Sequence, residues 1–464
     1  MKMMKQAISL TGEPPRFRRI KQTIRHGRLA AGYAVLLVLP FLATQFLDMD
    51  NKGLYLSALS LFNALAMMAF FIQFPLASRV KALPLFANID WSMAKHKSVG
   101  QWLGVFFLLH PVFILAPRFI QSFDDGLTSL VEVLTAPTML TGLIAWVTMI
   151  IWTLMAVFKN TIKMRYETWR LTHMLGFVAV AILATIHVTS VGSHGQFESQ
   201  FNAIWWALCT ASVTLVIYNH TVKKVVIKSQ PFTLVDVTKV SSRDWQITLE
   251  KKDQGRFEFE AGQFVWMNSS QSVFNLNDHP FSIASCADDL PQFSMVIREL
   301  GDYTASLHTL VIGQDVYIDG PYGSMNLDDS KKADGIILIA GGAGIGPMLS
   351  LLRELACAKD TRPVRLIYGN SDFEQMVLQD EIAELQRTMT DFSQQLVCVH
   401  PTNKAQVSHG VIDQECISKV LKSAQADNWS VYLCGPEGML EAVKTSLNDL
   451  EISPADIHYE KLSF

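Results

Sequence analysis

Long apolar runs in the first half of the chain constrain its fold more than any other feature. Each run has about twenty residues, the length of helix that crosses the hydrocarbon core of a bilayer. A segment in lipid must satisfy its own backbone polar groups, which favours helices. The sequence therefore predicts a six-helix transmembrane bundle within residues 29–222. The six spans are placed at 29–49, 54–76, 98–117, 138–158, 171–191 and 203–219.

Basic residues are distributed unevenly around these spans. Lysine and arginine crowd the segment before the first span and the loops that follow the second, fourth and sixth spans, whereas the alternate loops hold few. Cytoplasmic loops carry such an excess. We therefore expect an integral membrane protein with a basic cytoplasmic N-terminal segment (1–28) and a cytoplasmic C-terminus, in the inner (plasma) membrane of a bacterium. The second half is mildly acidic, which argues against a nucleic-acid partner.

Two of the spans carry histidines at the same spacing. HKSVGQWLGVFFLLH runs from His96 to His110, and HMLGFVAVAILATIH runs from His173 to His187. Fourteen helical steps make four turns less about 40° and a rise of about 21 Å, so both rings of one helix lie on one face at different depths. The two spans cross the membrane in the same direction, which pairs His96 with His173 and His110 with His187. Facing imidazoles are axial ligands of haem iron, so the pattern predicts two stacked b-type haems.

Chance placement of these histidines on helix faces is one alternative, and a proton relay is another. Ionisable groups inside a membrane are costly, so they indicate function by default. A chance placement or a relay would not require the same spacing on two parallel spans. The repeated spacing therefore favours haem ligation.

The second half of the chain has the alternating pattern of a water-soluble protein. Short β-branched runs such as FTLVDVTKV and DWQITLE, separated by turn residues, predict an antiparallel β-barrel at 229–330. This region contains HPFSIAS (279–285), VIRELGDYT (296–304) and DGPYG (319–323). Composition alone would read all three segments as turns and strand edges.

A glycine cluster follows in GIILIAGGAGIGPMLSLLREL, residues 335–355. The pattern is a buried strand, a turn and an amphipathic helix, and later strands VRLIYGN and SVYLCGP repeat the βα rhythm. It predicts an α/β domain with a parallel sheet at 333–464. The glycines allow the backbone to approach a pyrophosphate at the helix N-terminus, although the spacing is not G-x-G-x-x-G and a turn without a ligand is the alternative.

Six cysteines lie in the last span or in the second half, and none has C-x-x-C spacing. This pattern indicates reduced thiols and neither a disulfide framework nor a zinc site.

The order of these motifs, ending in a terminal aromatic residue, resembles the reductase half of the ferredoxin-NADP reductase superfamily. With the two histidine pairs, the chain from about residue 29 to 464 resembles the ferric reductase and NADPH oxidase family. The resemblance implies that Phe281 lies against the flavin of FAD and that Ser282 lies near its N5 atom. Soluble members commonly have arginine where this chain has His279, so Arg298 is expected to carry more of the phosphate charge. The residues assigned to FAD are His279, Pro280, Phe281, Ser282, Arg298, Gly301 and Thr304.

The resemblance also assigns a site for NADH or NADPH. Ser282, Cys434 and Phe464 would act where hydride is transferred, and Phe464 would stack on the flavin until nicotinamide displaces it. YGNSDFE has no arginine for a ribose 2′-phosphate and its Asp372 disfavours one, but Lys404 could supply the charge, so both nucleotides stay open. The residues assigned to the nucleotide are Gly341, Gly342, Gly344, Gly346, Pro347, Cys434, Gly435, Pro436 and Phe464.

Together these features predict an oxidoreductase that moves electrons from cytoplasmic NAD(P)H through FAD and two haems to the far side of the membrane. Flavin is required because NAD(P)H transfers two electrons and haem accepts one. A ferric chelate is the first expected acceptor and O2, giving superoxide, is the second. A redox protein or quinone partner is a third reading. A six-span transporter is disfavoured, since apart from the histidines the spans offer few polar groups.

Overall fold

The computed structural model describes residues 27–40, 42, 54–80, 86, 88–159, 161–162, 164–191, 199–252, 257–424 and 426–461. The chain divides into two compact units, Arg28–Lys224 and Val225–Phe464.

Within its described residues, the regular secondary structure of the first unit is entirely helical. Among them, five helices are long and apolar enough to cross a membrane, and they coincide with the second to sixth predicted spans. The first predicted span, 29–49, begins in α1, which ends at Pro40, and residues 43–49 lie outside the described part. The helices are α1 (Gly27–Pro40), α2 (Leu54–Leu76), α3 (Ile89–Gln121), α4 (Phe123–Thr135), α5 (Leu140–Val157), α6 (Tyr166–Val191), α7 (Ser199–His220) and α8 (Val222–Lys228).

Helix α2 contributes most to the interior of this unit. Its Phe70 and Phe71 are almost fully buried and pack in one apolar cluster with Leu103 of α3, Ala181 of α6 and Trp205 of α7. Apolar residues on the other helices are often exposed, as expected for helices that face lipid chains. The unit therefore has an apolar interior and an apolar exterior, so any polar atom within it needs a specific partner.

Pro111 creates one such need in α3. Proline has no backbone N–H, so it cannot donate to the carbonyl of Phe107 four residues earlier. The indole Nε1 of Trp146 in α5 donates to that carbonyl instead, at 2.9 Å. A side chain from a neighbouring helix thus satisfies the freed carbonyl.

Pro117, about one and a half turns further along α3, also frees a carbonyl that a side chain of another helix satisfies. It leaves the carbonyl of Phe113 without its helical donor. The hydroxyl of Tyr55 in α2 donates to this oxygen at 2.6 Å. Both proline positions in α3 are thereby tied to other helices of the bundle.

Replacing Trp146 by phenylalanine should destabilise the first unit by about 1 kcal/mol, because the Phe107 carbonyl loses its donor in an apolar layer. Trp102→Phe is the matched control, since Trp102 lies on α3, the helix that contains the Phe107 carbonyl, and is 73% exposed. Equilibrium unfolding of both variants in mixed micelles measures the difference. Equal losses of stability in the two variants would contradict this role of Trp146.

The second unit begins with an antiparallel sheet, as predicted. Its strand order is β4-β3-β6-β1-β2-β5, and an isolated bridge joins Ile283, just after β4, to Met295 in β5. The short helix α9 (Asp302–Ala305) follows β5. The strands are β1 (Phe232–Lys239), β2 (Asp244–Lys251), β3 (Phe264–Asn268), β4 (His279–Ser282), β5 (Gln292–Arg298) and β6 (Asp315–Tyr322).

A parallel sheet completes this unit, also as predicted. Its order is β10-β9-β8-β7-β11-β12, and the central strands β7 and β11 are buried along their whole length. The strands are β7 (Gly335–Gly341), β8 (Val364–Asn370), β9 (Phe392–Cys398), β10 (Val407–His409), β11 (Trp429–Gly435) and β12 (Ile457–Lys461). The helices are α10 (Ile345–Cys357), α11 (Gln379–Thr388), α12 (Gln414–Lys422) and α13 (Glu437–Asp449).

Candidate functional site

The rings of His96 in α3 and His173 in α6 face each other. Their centroids are 6.3 Å apart and their planes are inclined by 72°. A metal about 2 Å from one nitrogen of each ring would hold the two centroids about 6 Å apart. The separation of these two rings therefore fits axial ligation of one haem iron.

The Nδ1 atom of His96 lies 3.2 Å from the backbone carbonyl of Gln73 in α2. A carbonyl only accepts, so Nδ1 carries the proton and donates. The same ring is then left with an unprotonated Nε2, the form that binds a metal. The backbone of α2 thus sets the tautomer of His96.

Aromatic side chains enclose His173. The rings of Trp169 and Phe177, one turn before and after it on α6, lie 5.3 Å and 4.7 Å from its ring. Within the described residues, the buried Nδ1 of His173 has no hydrogen-bond partner. Burial of an imidazole among aromatic rings is unfavourable unless its nitrogens interact with a partner, and a metal bound at Nε2 would supply such an interaction.

The second predicted pair consists of His110 in α3 and His187 in α6. His110 packs against Phe106 and Phe107, each 6.5 Å away between ring centroids. The Nδ1 atoms of both histidines are buried and without a hydrogen-bond partner in the described part of the chain. His187 lies so close to Gly142 of α5 that a Cβ there would be 2.5 Å from its ring.

In the second unit, HPFSIAS supplies strand β4. His279 stacks on Tyr303 at 4.1 Å between centroids, and Phe281 lies parallel to the same ring at 6.1 Å. The Tyr303 hydroxyl is 2.9 Å from Ser269, and burial raises the pKa of Tyr303 to about 12, so the phenol stays protonated. The motif therefore builds an aromatic layer with Tyr303, the kind of surface on which a flat ring system packs.

The turn before α9 is held by one hydroxyl. Thr304 Oγ1 accepts from the backbone N–H groups of Leu300 and Gly301, at 2.8 and 3.0 Å. Gly301 is the N-cap of α9. Gly301 and Thr304, which are both among the residues assigned to FAD, thus form one compact turn.

Arg298 is paired with a carboxylate that the sequence did not single out. Its Nε and Nη2 donate to the two carboxylate oxygens of the fully buried Asp244, at 2.9 and 3.0 Å, and its Nη1 donates to Asn370 at 3.2 Å. Gly342 has φ +53°, and a Cβ there would lie 2.6 Å from Nη1. The guanidinium therefore lies directly against the glycine turn that follows β7. No sequence signal distinguishes Asp244 from other strand residues.

The glycine turn meets the end of β11. Strands β7 and β11 are neighbours in the sheet although helices and three further strands separate them in the chain. Their carboxyl ends mark the topological switch point where ligands bind in α/β sheets. A Cβ at Gly344 would lie 2.1 Å from the carbonyl oxygen of Cys434. The predicted nucleotide motifs GGAGIGP and CGP are therefore in direct contact.

Ser282 of the flavin motif also lies at this turn. A Cβ at Gly346 would be 3.6 Å from the Ser282 Cβ, an ordinary packing distance. Pro347 is buried in the first turn of α10, and Gly435 and Pro436 follow Cys434 at the end of β11. Phe464 lies outside the described residues.

Three family models match the chain in succession. They are "Ferric reductase like transmembrane component" at 57–185, "FAD-binding domain" at 229–326 and "Oxidoreductase NAD-binding domain" at 338–445. The first covers three of the four paired histidines, and the other two cover the flavin and nucleotide motifs.

Curated relatives match about half of this chain. The reductase component of propane 2-monooxygenase from Mycolicibacterium goodii is 28% identical over 47% of this chain and 63% of that protein. The electron transfer component of toluate 1,2-dioxygenase from Pseudomonas putida is 28% identical over 49% of this chain and 66% of that protein. The chain thus spans less than two thirds of the length of these relatives. A cytochrome P450 reductase structure from Amycolatopsis has 24% identity, a TM-score of 0.45 and coverage of 50% of this chain and 69% of that one.

The fold and the matched domains define a membrane-embedded NAD(P)H oxidoreductase. The succession of a ferric reductase transmembrane domain, an FAD-binding domain and an NAD-binding domain matches the architecture of the ferric reductase and NADPH oxidase-like proteins.

The variant Gly342→Ala should raise the KM for NADH about tenfold while FAD content stays unchanged, because a methyl group at this positive φ meets the Arg298 guanidinium and moves the glycine turn. Gly438→Ala is the control, since no atom lies within 4 Å of a Cβ there. Steady-state reduction of a soluble dye and the flavin absorbance measure both quantities. An unchanged KM in Gly342→Ala would contradict a role of this turn in nucleotide binding.

Proposed function

We propose that this protein is a transmembrane flavocytochrome that carries electrons from cytoplasmic NAD(P)H to an acceptor on the opposite side of the membrane. The separation of 6.3 Å between the rings of His96 and His173 is the observation that carries this proposal, because it fits one iron between two imidazoles. FAD, when bound, accepts hydride and releases electrons singly, and b-type haems, when bound, relay single electrons.

The four paired histidines would hold two haems. His96 and His173 form the inner pair, and His110 and His187 the outer pair. The bond from His96 Nδ1 to the Gln73 carbonyl keeps Nε2 available to iron. Six spans, with both termini in the cytoplasm and the bundle in a bacterial inner membrane, belong to the same proposal.

The second unit would hold FAD and the nucleotide, with its antiparallel sheet closing into a barrel. The aromatic layer of His279, Phe281 and Tyr303 offers an apolar platform for the flavin. Pro280 lies between His279 and Phe281 in β4. The turn of Gly301 and Thr304 would receive the FAD pyrophosphate, and Arg298, whose charge Asp244 balances, would line that region.

The nucleotide would bind across the contact between the glycine turn and the end of β11. Gly341, Gly342, Gly344, Gly346 and Pro347 would receive its phosphates. Cys434, Gly435 and Pro436 would line the nicotinamide pocket next to Ser282, and Phe464 would cover the flavin until nicotinamide arrives. These residues orient the two rings and exclude water; a protein acid or base is not required for hydride transfer.

NADH is the nucleotide that the described residues favour. Asp372 follows β8 at the carboxyl edge of the sheet, and its carboxylate lies 2.8 Å from His400 Nδ1. A carboxylate at this edge accepts from a ribose 2′-hydroxyl and repels a 2′-phosphate. Lys404, which would favour NADPH, lies over the ring of Phe373 at 5.6 Å.

A ferric chelate is the proposed acceptor. The surroundings of His110 are apolar, with Phe106 and Phe107 against its ring. Such surroundings offer O2 little hydrogen-bonded support, whereas electron transfer from the haem edge to a chelate needs none. Superoxide production from O2 is the second candidate, and donation to a quinone or redox protein is the third.

Gly142→Ala should displace the His187 ring and lower haem content from about two to about one per chain, with the inner haem retained. Gly100→Ala is the matched control on α3, because the nearest atom to its added Cβ is Gln73 Oε1 at 3.7 Å. Pyridine haemochrome analysis measures the haem content, and potentiometric titration measures the reduction potentials of the two haems. Two haems with unchanged potentials in Gly142→Ala would contradict the placement of the outer pair.

NADH consumption by the purified protein with a ferric chelate should proceed without O2 and should yield little superoxide in air. The measurement compares anaerobic and aerobic rates, with and without chelate, in the presence of a superoxide trap. NADH consumption that requires O2 and yields superoxide would contradict the ferric reductase hypothesis and support the oxidase hypothesis. Consumption that needs an added quinone or protein would support the third candidate.

A further inference from the structure

One face of helix α10 docks along the segment that follows the flavin motif. Ser350 Oγ donates to the carbonyl of Ser285 at 2.6 Å, and the Ala287 N–H donates to Glu354 Oε2 at 3.0 Å. Arg353, one residue before Glu354, donates to the carbonyl of Ala284 at 2.8 Å. The spacing of these α10 residues places them on one side of the helix. We call this line of contacts the α10 seam.

Two cysteines complete the α10 seam. Cys286, between the seam residues Ser285 and Ala287, has its Sγ 2.8 Å from the Sγ of Cys357, one turn after Arg353. Both are free thiols; Cys286 is buried and Cys357 is exposed. A disulfide needs sulfurs about 2 Å apart, so the two atoms have less than about 1 Å to travel. The sequence spacing of the cysteines indicated reduced thiols and did not reveal that these two lie close together.

We propose that Cys286 and Cys357 are a modification site at which a small-molecule disulfide, such as oxidised glutathione, forms a reversible disulfide across the α10 seam. The exposed Cys357 thiolate attacks the oxidant and forms a mixed disulfide, releasing one thiol. The Cys286 thiolate then attacks the Cys357 sulfur, closing the protein disulfide and releasing the second thiol. Two protein thiols are oxidised and one small disulfide is reduced to two thiols, so electrons and protons balance.

The environment of each thiol sets this order. Burial raises the pKa of the Cys286 thiol, and the neighbouring Cys357 thiol and the Asp289 carboxylate raise it further. Cys286 is therefore a poor first nucleophile and is shielded from a bulky oxidant, whereas Cys357 is accessible. Once the mixed disulfide exists, the Cys357 sulfur that Cys286 must attack is already next to the Cys286 sulfur.

The proposed disulfide would link the segment after the flavin motif to helix α10, which follows the glycine turn. Cys286 lies four residues after Ser282, and α10 begins directly after the glycine turn that packs on Ser282. A covalent tie here holds the flavin motif and the nucleotide turn together when the cell becomes oxidising. Its formation does not depend on haem, on the acceptor or on the direction of electron flow.

The test uses the purified full-length chain, reduced, freed of reductant and incubated with oxidised glutathione. Non-reducing digestion and mass spectrometry should find a peptide that links Cys286 to Cys357. The unfolding temperature of the second unit should rise by about 5 °C and return to its starting value with dithiothreitol. Cys357→Ser should give neither result. Cys416→Ser, which removes a half-buried thiol elsewhere, should give both.

Two results would overturn the proposal. One is glutathione retained on Cys357 without any Cys286–Cys357 peptide. The other is an equal rise of the unfolding temperature in Cys357→Ser. Neither readout involves NADH turnover or haem, so failure here is distinguishable from failure of the proposed function.

Discussion

A polar atom inside an apolar helix bundle must find a partner, because no water is present to replace a lost hydrogen bond. This constraint organises the first unit. The indole of Trp146 donates to the carbonyl that Pro111 frees, and the Gln73 carbonyl accepts a hydrogen bond from His96 Nδ1. The buried Nδ1 atoms of His173 and His187 lack such partners within the described residues. The proposed ligation of iron would stabilise these imidazole rings inside the apolar bundle.

Close backbone approach is the corresponding constraint in the second unit. Gly344 lies against the Cys434 carbonyl, and Gly342 lies against the Arg298 guanidinium with a positive φ. A side chain at either position would separate segments that must be adjacent for hydride to pass between two rings. The buried Asp244 balances the charge of Arg298, so the guanidinium can lie inside the protein beside the turn.

The chain combines two kinds of similarity. Reductase and electron transfer components are similar to about half of the chain, and a ferric reductase transmembrane model matches residues 57–185 of the first unit. In this chain the flavin and nucleotide domains follow a set of apolar helices with paired histidines. The proposed outlet for electrons is therefore a pair of haems within the same polypeptide.

The sequence by itself determined the membrane helices, the two sheets and the order of the motifs. Apolar length, histidine spacing and strand alternation are local patterns, and local patterns follow helix and strand geometry directly. Five of six spans and both sheet types could be predicted for this reason. Tyr303 lies within the segment VIRELGDYT, but the sequence did not single it out, and its stacking on His279 was not predicted.

Only the tertiary structure decided which distant residues meet. Trp146 reaches a carbonyl 39 residues away, Arg298 pairs with a carboxylate 54 residues away, and 71 residues separate the two seam cysteines. Gly142 opposite His187 likewise has no mark in the sequence. Such contacts depend on how helices and strands pack, and packing is set by the shape of the whole core, which no short window of sequence contains.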